Sequence, residues 1–240
     1  MKIALIGDIH ANLPALEAVL ADARARSAQA VWNIGDFVGY GPHPEEVVQR
    51  CLREDMPAVL GNYDQKVLRY AERGVKTTNP LKQMAFAWAA TQLSPSGRAY
   101  LQALPEQLRL RAEGWSALLC HGSPASIKEH LTPETPEVRL HELAEIAAAP
   151  LVICGHSHQP FARQVSGAWF INTGSVGRPD DGDPRACYAL LDLAPGRLAV
   201  EHYRLEYDVE RAVQALRERG LPVEFGAMLR QGRNLEQLED

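Results

Sequence analysis

The first stretch of the chain that can do chemistry is Gly7-Asp8-Ile9-His10. It follows the apolar run 2–6, which predicts a short buried strand. In an extended chain, residues i and i+2 point to the same side, so Asp8 and His10 are expected to face one point just past the strand. Ligands of open α/β sheets usually bind at these carboxyl ends of strands.

The same pattern, an apolar run that leads to a glycine next to an Asp, Asn or His, occurs at four further places. The runs span residues 30–34, 58–60, 115–120 and 151–154. Glycine lets a chain turn sharply and approach a ligand closely. Five such strand ends predict one cluster of metal-ligand side chains, namely Asp8, His10, Asp36, Asn62, His121, His156 and His158.

The types of these ligands indicate which metals they would bind. Carboxylate, amide and imidazole groups without a thiolate suit Mn, Fe, Ni, Co or Zn rather than Cu(I) or an iron–sulfur cluster. Seven ligands are too many for one ion and suit two ions that share a bridging carboxylate, ~3.5–4 Å apart. Asp8 and Asp36 would offset only half the charge of two divalent ions, which leaves a centre that attracts hydroxide and phosphoryl groups. The set predicts hydrolysis of a phosphate ester by metal-bound hydroxide.

Four histidines fall outside the pattern, and we interpret them as surface or packing residues. They are His43, His130, His141 and His202. Only His43, in the Gly/Pro-rich loop after Asp36, is expected near the site.

The composition is that of an ordinary globular protein, with 240 residues, of which 46% are hydrophobic and 23% charged. A formal net charge of −5 gives no support to a surface for long nucleic acids or anionic membranes, which would need basic patches. The four cysteines form no Cys-x-x-Cys pair, so we expect reduced structural thiols and a cytoplasmic location. We expect neither a signal peptide nor a transmembrane segment.

The first 65 residues follow the order β-α-β-α-β, which is typical of a parallel sheet with crossover helices. The first helix is predicted to run from Asn12-Leu13-Pro14 to about Arg26. Asn12 either caps this helix or contacts the substrate, since free N–H groups at a helix start suit an anion. Residues 65–105 are predicted to form a helical cover beside the site.

The remainder of the chain predicts mainly strands. Hairpins are expected at Ser166-Gly167 and Pro195-Gly196, and helices over about 135–149 and 208–219. The polar tail 232–240 is expected to be frayed. No linker or repeat divides the chain, so we expect a single domain over residues 1–240.

Taken in order, the blocks resemble the signature motifs of the calcineurin-like metallophosphoesterases. These blocks are Gly7-Asp8-Ile9-His10-Ala11-Asn12, Gly35-Asp36, Gly61-Asn62-Tyr63-Asp64, His121-Gly122 and Gly155-His156-Ser157-His158. The block Asn172-Thr173-Gly174-Ser175-Val176-Gly177 is similar to one in the small bacterial YfcE-like phosphodiesterases. The resemblance covers residues 3 to about 205. It implies an α/β fold (α+β by some schemes), built as a two-sheet β sandwich flanked by helices.

The resemblance also implies how the ligands divide between two divalent metal ions. One metal would be held by Asp8, His10 and His158, the other by Asn62, His121 and His156, with Asp36 bridging. Manganese is the usual activating metal of such enzymes, and Fe, Ni, Zn or Co are alternatives.

One block departs from the common form of the family, which carries histidine where this chain has Tyr63. That histidine is the usual general acid for the leaving group, and tyrosine, with an ordinary pKa of ~10, donates a proton less readily. We therefore expect diesters with good leaving groups rather than alkyl phosphomonoesters. Asp64 either supports Tyr63 or caps the next helix. Arg178 either binds the phosphate through its planar guanidinium or forms a surface salt bridge.

Three functions are consistent with these motifs. The first is a dinuclear metal-dependent phosphoesterase, more a phosphodiesterase than a monoesterase, with Asp36, Asn62, Tyr63 and Asp64 in catalysis and a small phosphate ester as substrate. The second is a binding or scaffold protein on the same fold, like the retromer scaffold subunit that resembles this family. The third is a nuclease or cyclic-nucleotide phosphodiesterase, for which a nucleotide fits the acidic chain better than a long nucleic acid. The oligomeric state stays open.

Overall fold

The strands form two mixed sheets in this computed structural model, which describes residues 1–73 and 79–238. The strands are β1 (Lys2–Ile6), β2 (Ala30–Asn33), β3 (Gln107–Ala112), β4 (Trp115–Cys120), β5 (Leu151–Cys154), β6 (Phe161–Val165), β7 (Ala168–Asn172), β8 (Ala186–Ala194) and β9 (Arg197–Leu205). One sheet has the order β2-β1-β8-β9 and the other β3-β4-β5-β7-β6. Strands β1 and β2 are parallel, as are β4, β5 and β7.

Helices cover the outer faces of both sheets. They are α1 (Leu13–Ala25), α2 (Pro44–Arg53), α3 (Asn62–Arg73), α4 (Pro80–Gln92), α5 (Pro95–Ala103), α6 (Glu137–Ala147), α7 (Val209–Glu218), α8 (Val223–Gln231) and α9 (Leu235–Leu238). Helix α6 packs on the five-stranded sheet, and the others share a core with the four-stranded sheet. The predicted fold class, a two-sheet sandwich flanked by helices, is confirmed.

Alternation of side chains along the strands produces this layering. Ile3 and Leu5 of β1 lie in the core between the sheets, whereas Ala4 and Ile6 lie in the core beneath the helices. Successive strand residues point to opposite faces, so both faces of β1 must be apolar. The strand that leads to the first motif is therefore buried on both sides.

Two tight hairpins hold the five-stranded sheet together at the end away from the motifs. The turn between β3 and β4 has Glu113 at φ 49° and Gly114 at φ 80°, and the turn between β6 and β7 has Ser166 at φ 52° and Gly167 at φ 79°. Two successive positive φ values are the signature of the type I′ turn, whose twist matches that of the strands it joins. The hairpin predicted at residues 166–167 is confirmed.

The strand predicted over residues 58–60 is wrong. The structure forms a single bridge there, between Asn33 and Ala58. The backbone N–H of Leu60 donates to the carbonyl of Pro105 at 2.8 Å instead of to β2, so the ladder stops after one pair. The segment still runs beside β2 and leads directly into α3.

The helical cover is present in the described part of residues 65–105 as α3, α4 and α5. Asn79 and Ser94 accept backbone N–H groups at the starts of α4 and α5, each followed by a proline in the first turn. Residues 74–78 of the predicted cover lie outside the described residues.

The expectation of a frayed tail is wrong for residues 232–238. Helices α8 and α9 follow α7, and Leu235 is buried in the helical core with Leu238 packed against it. The side chain of Gln237 donates to the carbonyl of Asp180 at 3.2 Å. Two leucines three residues apart give this polar segment one apolar side, which suffices to dock it.

The structure describes the environment of the four cysteines and the length and polarity of the helices. Cys51, Cys120, Cys154 and Cys187 are buried free thiols. Within the described ranges, no helix is long and apolar enough to span a bilayer. The assignment of residues 1–240 to a single domain stays a prediction.

Candidate metal centre

The carboxyl ends of β1, β2, β4 and β5 meet at one edge of the sandwich. Asp8 and Asp36 follow the first two strands, His121 comes directly after β4, and His156 and His158 follow β5. Two backbone hydrogen bonds, each 2.9 Å long, hold the strand ends together. The N–H of residue 8 donates to the carbonyl of residue 35, and the N–H of residue 155 donates to the carbonyl of residue 121. Both sheets thus contribute to the same site.

The first group of converging ligand atoms comes from Asp8, His10 and His158, all fully buried. Nε2 of His158 lies 3.2 Å from Oδ1 of Asp8 and 3.3 Å from Nε2 of His10. Oδ1 of Asp8 is buried and makes no hydrogen bond within the described residues. Two imidazole nitrogens and a carboxylate oxygen that converge on one point can all donate lone pairs to an ion there, so these residues fit a metal ion.

The second group lies around Asp36. Oδ2 of Asp36 is 3.4 Å from Nε2 of His121, and the same Nε2 is 2.8 Å from Oδ1 of Asn62. Oδ2 of Asp36 is also 3.7 Å from Nε2 of His10 in the first group. Asp8, Asp36 and His121 also bring ligand atoms within 4.8 Å of one another, so the carboxylates of Asp8 and Asp36 both lie where the two groups meet.

His156 belongs to neither group of converging atoms. Its Nε2 lies 3.2 Å from the carbonyl oxygen of Lys128, and its ring packs against those of His121 and His130. Its backbone N–H donates to Oδ2 of Asp8 at 3.1 Å, which fixes that carboxylate. Its role as a ligand stays a prediction.

The outward ring nitrogens of His121 and His158 face groups that can orient these two rings. Nδ1 of His121 donates to the carbonyl of Ile34 at 2.9 Å, which leaves Nε2 as the lone-pair atom of the neutral ring. Nδ1 of His158 lies 3.4 Å from Oδ2 of Asp180. Backing of a histidine by a carbonyl or a carboxylate is the usual arrangement around protein-bound metals.

The backbone reaches this arrangement through left-handed residues rather than by the extended geometry predicted for residues i and i+2. The φ values are 50° for Asp8, 48° for His10, 55° for Asp36, 64° for His156 and 58° for His158. Such conformations cost of order 1–3 kcal/mol each and concentrate at functional sites. The candidate ligand side chains converge because the backbone turns through left-handed conformations after β1, β2 and β5.

Close packing explains the glycines of the motifs. A Cβ on Gly155 would lie 2.4 Å from Oδ2 of Asp8, and one on Gly61 would lie 2.1 Å from both N and Oδ1 of Asp36. Neither glycine has a positive φ. These two positions need glycine because another ligand-bearing segment occupies the space.

Electrostatics favours a positive charge on two histidines of the cluster, His121 and His158. Burial lowers the pKa of His121, but the carboxylates of Asp36 and Asp8 outweigh it and raise that pKa to about 9. Burial also lowers the pKa of His158, but the carboxylates of Asp180 and Asp8 outweigh it and raise that pKa to about 9. The same carboxylates would favour a metal ion, which requires the neutral imidazole and would displace a proton from each ring.

Asp64 acts on the backbone. Its carboxylate accepts hydrogen bonds from the N–H groups of Asp36, Val38 and Gly61 at 2.9, 3.1 and 3.0 Å. Burial and the nearby Asp36 raise its pKa to about 7. The bond to Gly61 closes the start of α3 in the manner of a capping box. Of the two roles left open by the sequence, capping is the one seen, and Asp64 also ties the Asp36 loop to α3.

Tyr63 and Arg178 line a cavity of about 290 Å³ that opens onto the cluster. The hydroxyl of Tyr63 lies 3.0 Å from that of Tyr40, and burial holds the pKa of Tyr63 well above its usual value. The guanidinium carbon of Arg178 lies 4.8 Å from the ring centre of Tyr40 and 5.8 Å from that of Tyr63. Arg178 is only 8% exposed, so a surface salt bridge is not its environment.

Comparison with known proteins identifies the family to which this chain belongs. Residues 1–196 match the calcineurin-like phosphoesterase superfamily domain. The chain belongs to that superfamily. Its resemblance to the YfcE-like phosphoesterases is confirmed by phosphodiesterase YfcE of Escherichia coli, which is 29% identical over 203 residues, or 80% of this chain and 88% of the relative.

Two further relatives match nearly the whole chain. An uncharacterised protein of Methanocaldococcus jannaschii is 30% identical over 248 residues, covering 96% of this chain and 98% of its own. The crystal structure of a metallophosphoesterase from Sphaerobacter thermophilus has 32% identity and a TM-score of 0.81, covering 97% of this chain and 99% of its own. The similarity thus includes the C-terminal helices.

Asn12 serves the scaffold of this protein. Its Oδ1 accepts from the N–H of Ala15 at 3.3 Å at the start of α1, and its Nδ2 donates to Gly177 and Tyr207 at 2.8 and 3.0 Å. Asn12 is fully buried and is not among the residues that line the cavity. Of the two predicted roles, the N-cap is the one that the structure shows.

Several residues that line the cavity were not found by sequence reasoning. They are Lys66, Lys82, His130, Asp180, Asn234 and Glu236. His130 lines the cavity and His43 does not, the reverse of the expectation for these two residues. None of the six follows an apolar strand run, so the pattern that identified the ligands could not find them. A lysine in a helix and an acid in a polar tail carry no local signal of a site.

Proposed function

We propose that this protein is a dinuclear metal-dependent phosphoesterase that prefers phosphodiesters. The position of Asp36 supports the proposal most directly, since its Oδ2 lies 3.7 Å from Nε2 of His10 and 3.4 Å from Nε2 of His121. A carboxylate between two sets of ligands is what a pair of ions requires.

The ligand sets would divide as the family resemblance implies. Asp8, His10 and His158 would hold one ion, and Asn62, His121 and His156 the other, with Asp36 shared. Divalent ions, manganese first, would supply a water of lowered pKa and offset the charge on the phosphoryl oxygens. The strained backbone at five of these residues supports a functional rather than a packing role for them; they are Asp8, His10, Asp36, His156 and His158.

The protein's own side chains would bind and orient the ester. Arg178 presents a buried guanidinium to the cavity and would bind the phosphoryl oxygens, a task that suits its planar donors. Tyr63 would stand near the leaving group as a weak acid, and Asp64 would fix the loops of Asp36 and Asn62. A weak acid favours leaving groups that need little protonation, which is why we propose diesters. The name of the E. coli relative, a phosphodiesterase, agrees with this choice.

The test compares hydrolysis of bis-p-nitrophenyl phosphate and p-nitrophenyl phosphate by manganese-loaded protein with that by the Asp36→Asn variant. We expect the diester to be the better substrate and Asp36→Asn to lose at least about 100-fold in kcat/KM. Asp192→Asn, on β8 far from the cluster, is the control that loses an equal charge. Equal rates for wild type and Asp36→Asn would contradict the proposal. Metal binding without hydrolysis of any linear or cyclic diester would favour a scaffold role.

A further inference from the structure

Three cationic side chains line the cavity beside the metal centre. Lys66 comes from α3, Lys82 from α4 and Arg178 from the loop after β7. Their cavity also contains the metal-centre residues Asp36 and His158. A phosphate bound at the metals would need one such cation, and the other two are left without a role in the function proposed above.

The guanidinium of Arg178 has unmet hydrogen-bonding capacity. Its Nε is buried without a partner among the described residues, and no hydrogen bond from the rest of the group is found there. Within residues 1–73 and 79–238, its ion contact is with Asp180, at 3.9 Å. A buried guanidinium carries five N–H donors, so this arrangement calls for an anionic ligand in the cavity.

The ammonium of Lys66 is in a similar position. In the described part of the chain it has no ion-pair or hydrogen-bond partner, and it lies 4.5 Å from the ring centre of Tyr63 and 5.4 Å from that of Phe86. Arg178 approaches the same Tyr63 ring at 5.8 Å. The side chains of Lys66 and Arg178 therefore both lie next to the ring of Tyr63.

Repulsion among these cations is visible in the electrostatics of Lys66. Burial lowers its pKa, Asp36 opposes this effect, and the charges of Lys128, Lys82 and Arg178 add to it. Like charges gathered in a half-buried cavity are stabilised when an anion binds among them.

Glu236 shows that this wall of the cavity accepts an anion. Its carboxylate, carried by α9, forms an ion pair with the ammonium of Lys82, and both residues line the cavity. Leu235 buries the adjacent position of α9 in the helical core, which holds Glu236 in place. The protein's own acid thus occupies a position that a ligand could take.

We propose that Lys66 and Lys82, together with Arg178, form a second anion subsite that binds a further phosphate group of the substrate, and that Glu236 occupies Lys82 until this group displaces it. The proposal rests on the proposed function in one respect, that the scissile phosphate lies at the metal centre. It assigns the substrate to phosphoric esters with at least two phosphate groups, such as nucleoside polyphosphates. Two lysines match the charge of such an added phosphate.

Binding of non-hydrolysable probes tests the subsite without relying on turnover. Isothermal titration of manganese-loaded protein, freed of excess metal, compares methylenediphosphonate with inorganic phosphate, and metal content is measured afterwards to exclude its removal by the probe. We expect wild type to bind the diphosphonate at least tenfold more tightly than phosphate. Lys66→Met and Lys82→Met should each weaken diphosphonate binding about tenfold and phosphate binding less than twofold.

Glu236→Gln should have the opposite effect and tighten diphosphonate binding severalfold, because Lys82 is released from its ion pair. Lys2→Met, at the start of β1, removes the same charge far from the cavity and should leave both affinities unchanged. Equal affinity of wild type for the two probes, or unaltered diphosphonate binding by Lys82→Met, would overturn the subsite. Unaltered binding by Glu236→Gln would overturn the role given to Glu236. A probe preference without hydrolysis of any ester would refute the proposed function and leave the subsite standing.

Discussion

Asp180 holds a carboxylate oxygen 3.4 Å from Nδ1 of His158, while Nε2 of the same ring lies 3.2 Å from Oδ1 of Asp8. The ring is thus fixed between an acid that faces the cluster and one that orients it from behind. Removing such a backing acid usually costs 10–100-fold in metal affinity. We expect Asp180→Asn to weaken manganese binding by about that factor in calorimetric titration, with the fold intact by circular dichroism.

The neighbouring acid supplies the control for this prediction. Asp181 pairs with Arg204 and is not among the residues that line the cavity. Asp181→Asn should therefore bind manganese as wild type does. If both variants lose affinity equally, the effect belongs to the loop as a whole, and the assigned orientation of His158 by Asp180 is wrong.

A methyl group at Gly61 should disturb the metal centre. Its Cβ would lie 2.1 Å from N and Oδ1 of Asp36, so one of the two segments must move. Overpacking of this kind costs about 1–3 kcal/mol of unfolding free energy. We expect Gly61→Ala to show that loss in urea unfolding and to bind manganese at least tenfold more weakly.

Gly114→Ala separates this effect from general damage to a glycine. Gly114 lies in the β3–β4 turn with φ 80°, and a Cβ added there would have no neighbouring atom within 4 Å. Its substitution strains the backbone and should lower stability by about 1 kcal/mol without changing metal affinity. Normal manganese binding by Gly61→Ala would contradict the close approach of these two segments.

The candidate metal-ligand residues could be picked out because their signal is local. An apolar run that ends at a glycine beside an acid or a histidine can be recognised without knowing the fold, and the recurrence of this pattern found both Asp8 and His121. The sandwich itself followed from the resemblance, since the order of elements in the first 65 residues indicated only a parallel sheet. The strand expected at residues 58–60 failed because Leu60 has a hydrogen-bond partner, Pro105, distant in sequence.

The rest of the site depends on contacts between distant segments. Glu236 meets Lys82 across 154 residues of sequence, and nothing near either residue marks the meeting. The backbone of Asp8 and His10 could not be foreseen either, because a left-handed conformation at a non-glycine residue is held by its surroundings. Pattern reasoning therefore finds candidate ligands that follow strands and misses the residues that surround them.

Tyr63→His should raise monoesterase activity. The hydroxyl of Tyr63 lies beside that of Tyr40 in a buried setting that raises the pKa of Tyr63, so it releases a proton reluctantly. An imidazole with a pKa near neutrality is a better acid for a poor leaving group. We expect kcat on phenyl phosphate to rise about tenfold or more, with a smaller change on bis-p-nitrophenyl phosphate.

Tyr63→Phe is the matched control, because it keeps the ring and removes the proton. It should hydrolyse bis-p-nitrophenyl phosphate nearly as well as wild type, since p-nitrophenolate needs little protonation. A lower monoesterase rate in Tyr63→His than in Tyr63→Phe would show that the leaving-group argument is wrong for this site.

Glu45 should stabilise the helical cover in a pH-dependent manner. Its carboxylate joins α2 to α5 by accepting from the hydroxyl and N–H of Ser94 at 2.6 and 2.9 Å, and Gln49 donates to it at 2.9 Å. Burial raises the pKa of Glu45, but these hydrogen bonds outweigh it and the pKa falls below its usual value. Because the side chain is partly exposed, we expect Glu45→Gln to lose about 1 kcal/mol of unfolding free energy at pH 7.

The sign of the pH effect follows from that lowered pKa. The unfolded chain takes up a proton at Glu45 near pH ~4.3, and the folded chain does so only at lower pH, so the stabilisation is complete above that range and is lost as the pH falls through the folded pKa. Urea unfolding at pH 7 and pH 3.5 should show the difference between wild type and Glu45→Gln shrinking at the lower pH. Glu224→Gln, at an exposed glutamate of α8, should show little difference at either pH. A Glu45→Gln difference that is the same at both pH values would mean that the carboxylate charge does not stabilise the contact with Ser94.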